Sequence, residues 1–454
     1  MRSVISVLLV AACAAAASAR QEVTREFQKT LPLVSGRSLK VEHSQGNITI
    51  HTHAKAEVDI HASMKCSADR VEDAREGCDG IKILVEESSS GVWLRTQLPN
   101  SDFFHGRRNL SWAINLDIDM PDSAPLEARS HFGSISVTDL HAPAVVATNN
   151  GKVLFIGGRG RQRIEDSFGD VEVARNDGDV TIVDSNGRVT ASDITGALEI
   201  RDNFGEINAS GIGKRLDVSA GNGNVNATSV SGSVTISDSF GKVMVRDAKA
   251  DVTVQNQNGI VEATGVTGTA DLRTSFAPVR FSRIGKGVTV HGQNSEVIGD
   301  TVGGPATVDT SFGSIDVRGV KGAGRLTNQN GNVRGTDIGG EAYARTSFGG
   351  VTLEDVGERI TVDSQNGSIT VRSSGAAKKC QPISLSTNFG PIKVSIPQGV
   401  GYDVTARTTF GRITSQLPVT VNGQVGGESL SGKIGGGGCE LRLNNSNGSI
   451  DIVN

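Results

Sequence analysis

The chain has 454 residues, a formal net charge of -4, 37% hydrophobic residues, 4% aromatic residues and 57 glycines. So few aromatics and so much glycine speak for many short strands and tight turns, and against a large globular enzyme core. Acidic and basic residues are mixed along the chain, so no basic stripe marks a nucleic-acid partner and none is expected.

The first segment reads as a secretory signal. Arg2 supplies the positive start, Val4 to Ala17 is apolar, and Ala17-Ser18-Ala19 is a small-x-small cleavage site. Residues 1–19 are therefore assigned to a signal peptide, with an exported mature chain in the periplasm, on the outer-membrane surface or outside the cell. A rival reading is a lipobox at Val10-Ala11-Ala12-Cys13, which would place a lipid on Cys13. No later stretch has the run of apolar residues that a membrane helix needs.

Residues 20–128 form a β-rich N-terminal region. Leu39 to Glu42, Gly46 to Ile50, Val58 to Ile60, Ile81 to Val85, Val92 to Leu94 and Trp112 to Ile118 alternate as strands do. Ser67 to Gly77 is polar and rich in Ala, Glu and Arg, which predicts a short helix started by Ser67 or Asp69. Asn100 to Asn109 reads as a polar loop with exposed Phe103 and Phe104.

From 129 to 376 a repeat takes over. Phe-Gly recurs at Phe132, Phe168, Phe204, Phe240, Phe312 and Phe348, and Phe276 keeps the phase with Ala277 in place of Gly. Midway between them Asn-Gly recurs at Asn150, Asn186, Asn222, Asn258, Asn330 and Asn366, with Asn294-Ser295 as the lapse. The unit is thus 18 residues in two alternating flavours, paired into 36 (Phe168, Asn186, Phe204). Each unit opens Phe/Asn-Gly-x-Val/Ile and holds two short strands. No unit can bury its apolar face alone, so the units must stack into an all-β parallel solenoid. If 36 residues make one coil, Phe stacks on Phe and Asn on Asn; if 18 make one coil, the two alternate along a corner. The Val/Ile pattern repeats at 18 and favours the second. The Gly after each Phe or Asn is expected at positive φ.

After Val371 the phase slips, with Phe389-Gly390, Phe410-Gly411 and Asn447-Gly448 at irregular intervals. Residues 377–454 are read as atypical coils and a cap over the open sheet edge. Four cysteines remain in the mature chain, and local pairing is expected: Cys66 with Cys78, and Cys380 with Cys439.

Chemistry is sparse. His51 and His53 share one strand face, with His43 and His61 nearby, and two or three of them could bind a transition metal, but a solvated strand face explains them better. Asp166, Asp184, Asp202 and Asp238 recur two residues before Phe or Asn, while Thr274, Thr310 and Thr346 hold the same place later. Asp exchanging with Thr suits a turn cap better than calcium. Aromatic sugar platforms of the kind a carbohydrate-active enzyme uses are missing: Trp93, Trp112, Tyr343 and Tyr402 are the only Trp and Tyr residues, and Phe is mostly taken up by the repeat. No catalytic residue, cofactor or metal is assigned.

The repeated Gly-x-Val/Ile-x-Val units, the strand ending Ile118-Asp119-Met120-Pro121, the segment Ile392 to Pro397 and the terminal Asn447-Gly448-Ser449-Ile450-Asp451-Ile452 resemble the bacterial putative-adhesin family of β-strand-repeat proteins. The resemblance covers nearly all of the mature chain. It implies an exported protein with a β-helix-like fold, and it carries no catalytic residues. The expected function is a non-enzymatic envelope adhesin or binding scaffold, with an envelope or host glycan or a protein as partner. A carbohydrate-active β-helix enzyme and a periplasmic envelope-signalling accessory are the alternatives.

Overall fold

A computed structural model of the chain describes residues 20–99, 109–373, 380–421 and 427–454. The signal segment, Cys13, and the loop with Phe103 and Phe104 lie outside the described residues. The chain divides into two units, 1–137 and 138–454.

The first unit is two β-sheets and one helix. Its elements are β1 (Gln21–Pro32), β2 (Ser38–Gln45), β3 (Ile48–His53), β4 (Glu57–Ala68), α1 (Val71–Gly80), β5 (Lys82–Ser88), β6 (Gly91–Gln97), β7 (Ser111–Pro121), β8 (Leu126–Phe132) and β9 (Ile135–Thr138). One sheet runs β1, β4, β7, β3, β9; its first two pairings are antiparallel and its last two parallel. The other runs β5, β6, β2, β8, with only the β5–β6 pair antiparallel. Inward residues such as Ile48, Ile50, Val58, Ile60, Ile114, Leu116 and Ile118 are fully buried. β1 carries no alternation in its sequence and is mostly exposed along its length, as an edge strand can be.

The helix differs from the sequence reading at its start. It begins after Arg70 and runs to Gly80, with no side-chain cap. Asp69 does not cap it, because its carboxylate accepts hydrogen bonds from Asn109 Nδ2 at 3.0 and 3.2 Å. What fixes the helix is burial of Ala74, Gly77 and Cys78 and the disulfide from Cys78 to Cys66 on β4.

The second unit belongs to the parallel β-solenoid of about 14 turns, and one coil is 18 residues. Register settles the coil length. Val153 pairs with Val171, Val171 with Val189 and Val189 with Ile207 on one face. On the other, Ile164 pairs with Ile182 and Ile182 with Ile200. Each coil thus adds one strand to each of two facing sheets. In the coil from Val189 to Ile200, Val189, Ala191, Ile194, Leu198 and Ile200 point inward and are fully buried. Such a side chain contributes roughly 1.5–3 kcal/mol on burial, but only against the coils above and below.

Two devices bend the coil, and only one is the expected glycine. Gly241, Gly313 and Gly349 do take positive φ, at 127°, 105° and 129°. Others at the same place do not. There the glycine is needed because a Cβ on Gly259 would lie 1.5 Å from the carbonyl oxygen of Gly241 in the preceding coil. The second device is one left-handed residue per coil near the end of the strand: Arg175, Asp193, Ser229, Asp247, Arg283 and Thr301 all lie at φ 53–56°.

The end of the chain departs from simple winding. In space Ile383–Phe389 is followed by Cys439–Asn447, and only then by Tyr402–Phe410. The last coil of the sequence is inserted before the one that precedes it. A hairpin of Val419–Val421 and Ser429–Ile434 then pairs antiparallel onto Tyr402–Phe410 and covers the edge. Cys380 and Cys439 are disulfide-bonded, so the inserted coil is tied to the strand it lies against.

Candidate functional site

The 18-residue coil places Phe and Asn in one column, alternating. Phe312, Asn330, Phe348, Asn366 and Phe389 are successive register partners. The sequence reading counted these phenylalanines as taken up by the repeat and so not free to meet a ligand. They stand half-exposed or more: Phe168 is 61% exposed, Phe204 62%, Phe240 51%, Phe276 60%, Phe312 51%, Phe348 55%, Phe389 54% and Phe410 72%. They sit at the turn between the two sheets, where a side chain leaves the coil rather than entering it. Phe132, in the first unit, is 56% exposed as well. No periodicity argument could have found this, because the apolar type and regular spacing mimic a core position.

The asparagines of the column tie neighbouring coils together. Asn186 Nδ2 donates to the carbonyl of Ser167 at 3.2 Å, and Asn366 Nδ2 to that of Ser347 at 3.3 Å. In each case the acceptor precedes the Phe of the coil below.

Two residues inside the column runs a buried polar one. Thr274 Oγ1 donates to the carbonyl of Gly259 (3.3 Å), Asn256 Nδ2 to Gly241 (2.8 Å), Asn328 Nδ2 to Gly313 (2.6 Å) and Thr346 Oγ1 to Gly331 (3.2 Å). Asp166, Asp184, Asp202 and Asp238 occupy the same place at 3–5% exposure. Asp202 and Asp238 accept turn N–H groups, from Phe204 and Ser239, but an ionised carboxylate cannot donate to a carbonyl. The backbone N–H groups of Ser167 and Phe168 face the Asp166 carboxyl and those of Ser185 and Asn186 face the Asp184 carboxyl, but none closes to ordinary hydrogen-bond geometry. Burial pushes Asp166, Asp184 and Asp238 up to about 6; the first two are raised further by a neighbouring column carboxylate. Asp202 is raised by burial too.

The histidines do not converge. His43 is buried on β2, with Nδ1 3.0 Å from Thr96 Oγ1, and burial lowers it to about 4. His51 lies 3.8 Å from Asp117, and His61 3.2 Å from Glu26. His53 Nδ1 accepts the Lys55 N–H. No group of three or more potential metal ligands occurs among the described residues. Of the other aromatics, Lys40 and Arg95 stack on Trp93 and Arg325 on Tyr343, and Tyr402 is buried.

A shallow groove of about 330 Å³ lies beside the Phe column, lined by Ser239, Gln257, Arg273, Ser275, His291 and Gln293. A second, of about 410 Å³, occupies the equivalent place in the last coils, lined by Asn388, Arg407, Thr409 and Ser446 among others. Both are walled by the residues that precede Phe or Asn in the repeat.

No family model and no curated protein matches the chain. Among solved structures it is similar to a putative cell adhesion protein from Clostridium sporogenes, at 10% identity over 94% of this chain and 99% of that one, with a TM-score of 0.15. It is similar also to a putative lipid binding protein from Parabacteroides distasonis, at 9% identity over 80% and 96%, with a TM-score of 0.18. A putative adhesin from the same organism gives 9% identity over 82% and 96%, with a TM-score of 0.15. At such TM-scores the likeness carries no functional argument.

Proposed function

We propose that the protein is an exported, non-enzymatic component of the cell envelope, an adhesin or binding scaffold that displays one edge of its β-solenoid. The observation that carries this reading is the Phe/Asn column. Eight large apolar side chains of the second unit stand half-exposed or more at repeating positions, where packing does not require them. Aromatic side chains are enriched where a protein surface meets a partner, and here they recur in register along one edge. Export is supported by the apolar segment ending at Ala19 and by two disulfides, which persist in oxidising compartments. Among the described residues no helix is long and apolar enough to cross a membrane. A lipid on Cys13 or a partner is the attachment that this reading proposes.

The test is retention of the purified chain on isolated bacterial envelopes and on host extracellular matrix, with new reducing or unsaturated sugar ends followed in the same samples. Retention without new ends is the expected result. New ends would overturn the non-enzymatic reading, and no retention on any surface would overturn binding.

A further inference from the structure

Phenylalanines of the column occupy alternate coils, so their rings are spaced by two strand separations, roughly 9.6 Å. Between them stand the amides of Asn258, Asn294 and Asn330, and beside them run the grooves of hydroxyls and amides. A surface that alternates aromatic faces with amides, and adds a polar wall, suits a ligand with the same alternation. Pyranose sugars have it: flat C–H faces that lie on rings, and hydroxyl edges that bond amides and hydroxyls.

The spacing selects among sugars. An extended β-1,4-linked polysaccharide turns the same sugar face outward at every second residue, and the length of that disaccharide is close to two strand separations. Neighbouring Phe residues can then meet equivalent faces over several successive contacts. An α-1,4-linked chain coils and loses register after one or two contacts. The lining is also close to neutral: in the first groove Arg273 is held by Asp271 at 2.9 Å. We infer that the Phe/Asn edge is a track for an extended β-1,4-linked polysaccharide, an inference that rests on the binding reading above. A lipid surface fits less well, since it calls for a contiguous apolar patch and here an amide interrupts every pair of rings.

The column supplies its own test variant. Asn already stands at this position on alternate coils, so Phe240→Asn, Phe276→Asn and Phe312→Asn leave a turn that the repeat tolerates. The full chain is mixed with insoluble chitin and with cellulose, and in parallel with starch granules and with vesicles of phosphatidylethanolamine and phosphatidylglycerol. Retention on at least one β-1,4-linked glycan is expected, with at least a tenfold loss in the triple variant and an unchanged unfolding temperature. Lys214→Ser, at the opposite turn of the coil, should retain the wild-type level.

Equal retention of wild type and triple variant would overturn the track, as would equal retention on starch. Capture by vesicles alone would assign the edge to lipid. Dimerisation that the triple variant abolishes, without glycan retention, would assign it to a second copy of the chain. If envelope preparations still retain the protein after lysozyme has removed their β-1,4-linked glycan strands, while chitin and cellulose do not, the binding reading stands and this inference fails. If nothing retains it, both fail.

Discussion

Asn447 pairs in register with Phe389 on one side and with Phe410 on the other. In sequence the two phenylalanines follow one another with no Asn between them. Insertion of the last coil restores the Phe–Asn–Phe alternation that the winding order would have broken, and Ile450 is seated between Ile392 and Ile413 in the same way.

This insertion makes the Cys380–Cys439 bridge the more important of the two. It spans 59 residues, against 12 for Cys66–Cys78. Loop-closure entropy then gives about 4 kcal/mol for the first and about 3 for the second. Paired Cys→Ser substitution should therefore lower the unfolding midpoint more at Cys380/Cys439 than at Cys66/Cys78. The C-terminal variant should also expose Cys439–Asn447 to proteolysis first. Equal midpoints, with Asn447 as protected as Asn366, would mean that the inserted coil is held by packing alone.

The buried carboxyls make stability depend on pH in an uncommon direction. Asp166, Asp184 and Asp238 titrate at about 6 when folded, against an ordinary 3.8. The folded chain binds more protons between those values. This contribution is therefore fully present below about pH 4 and is lost as pH rises through about 6. Denaturant midpoints measured from pH 7.5 down to 5 should rise. Asp184→Asn should raise stability at pH 7 by about 1–2 kcal/mol, since burial no longer acts on a charge and the new amide can donate to a carbonyl. It should also flatten the pH profile. A variant less stable than the parent at pH 7 would mean that the carboxylate holds a cation or water there.

How much of this could be read beforehand follows from what each feature leaves in the sequence. The 18-residue coil left its mark at every turn, because a two-sheet coil needs the same inward Val and Ile at the same offsets. The disulfides were legible because each pair sits in one flank of the array. β1 was not, since an edge strand need not alternate. Nor was the insertion of Asn447, because parallel pairing has no local signature and Phe389 and Phe410 look adjacent. Exposure of Phe240 and burial of Asp184 run against residue type, and only the direction of the turn decides them.

Core volume is balanced between coils, not within them. Phe281 and Gly299 are register partners, and a Cβ on Gly299 would lie 2.0 Å from Phe281 Cζ. Gly299→Ala should cost roughly 2–3 kcal/mol, as overpacking does. Phe281→Val opens the space, so the pair Phe281→Val/Gly299→Ala should be more stable than the sum of the single changes implies, by about 1 kcal/mol or more. Additive single and double variants in urea unfolding would show that the ring has another place to go.

The left-handed position offers a stabilising change. Thr301 lies at φ 53°, while Gly211, Gly265 and Gly319 fill the same place in other coils at φ 66–70°. A β-branched residue there brings its side chain against its own backbone, at a cost of roughly 1–2 kcal/mol. The Thr301 hydroxyl bonds the Asp300 carboxylate, but both groups are exposed, so that bond offsets little. Thr301→Gly also loosens the unfolded chain, which returns part of the gain. The net expectation is a rise of about 0.5–1 kcal/mol in unfolding free energy, read as a higher denaturant midpoint at constant slope. Ser229→Gly, at the same position without the branch, should gain less. If both variants lose stability, the left-handed turn is held by the side chains and not merely tolerated by them.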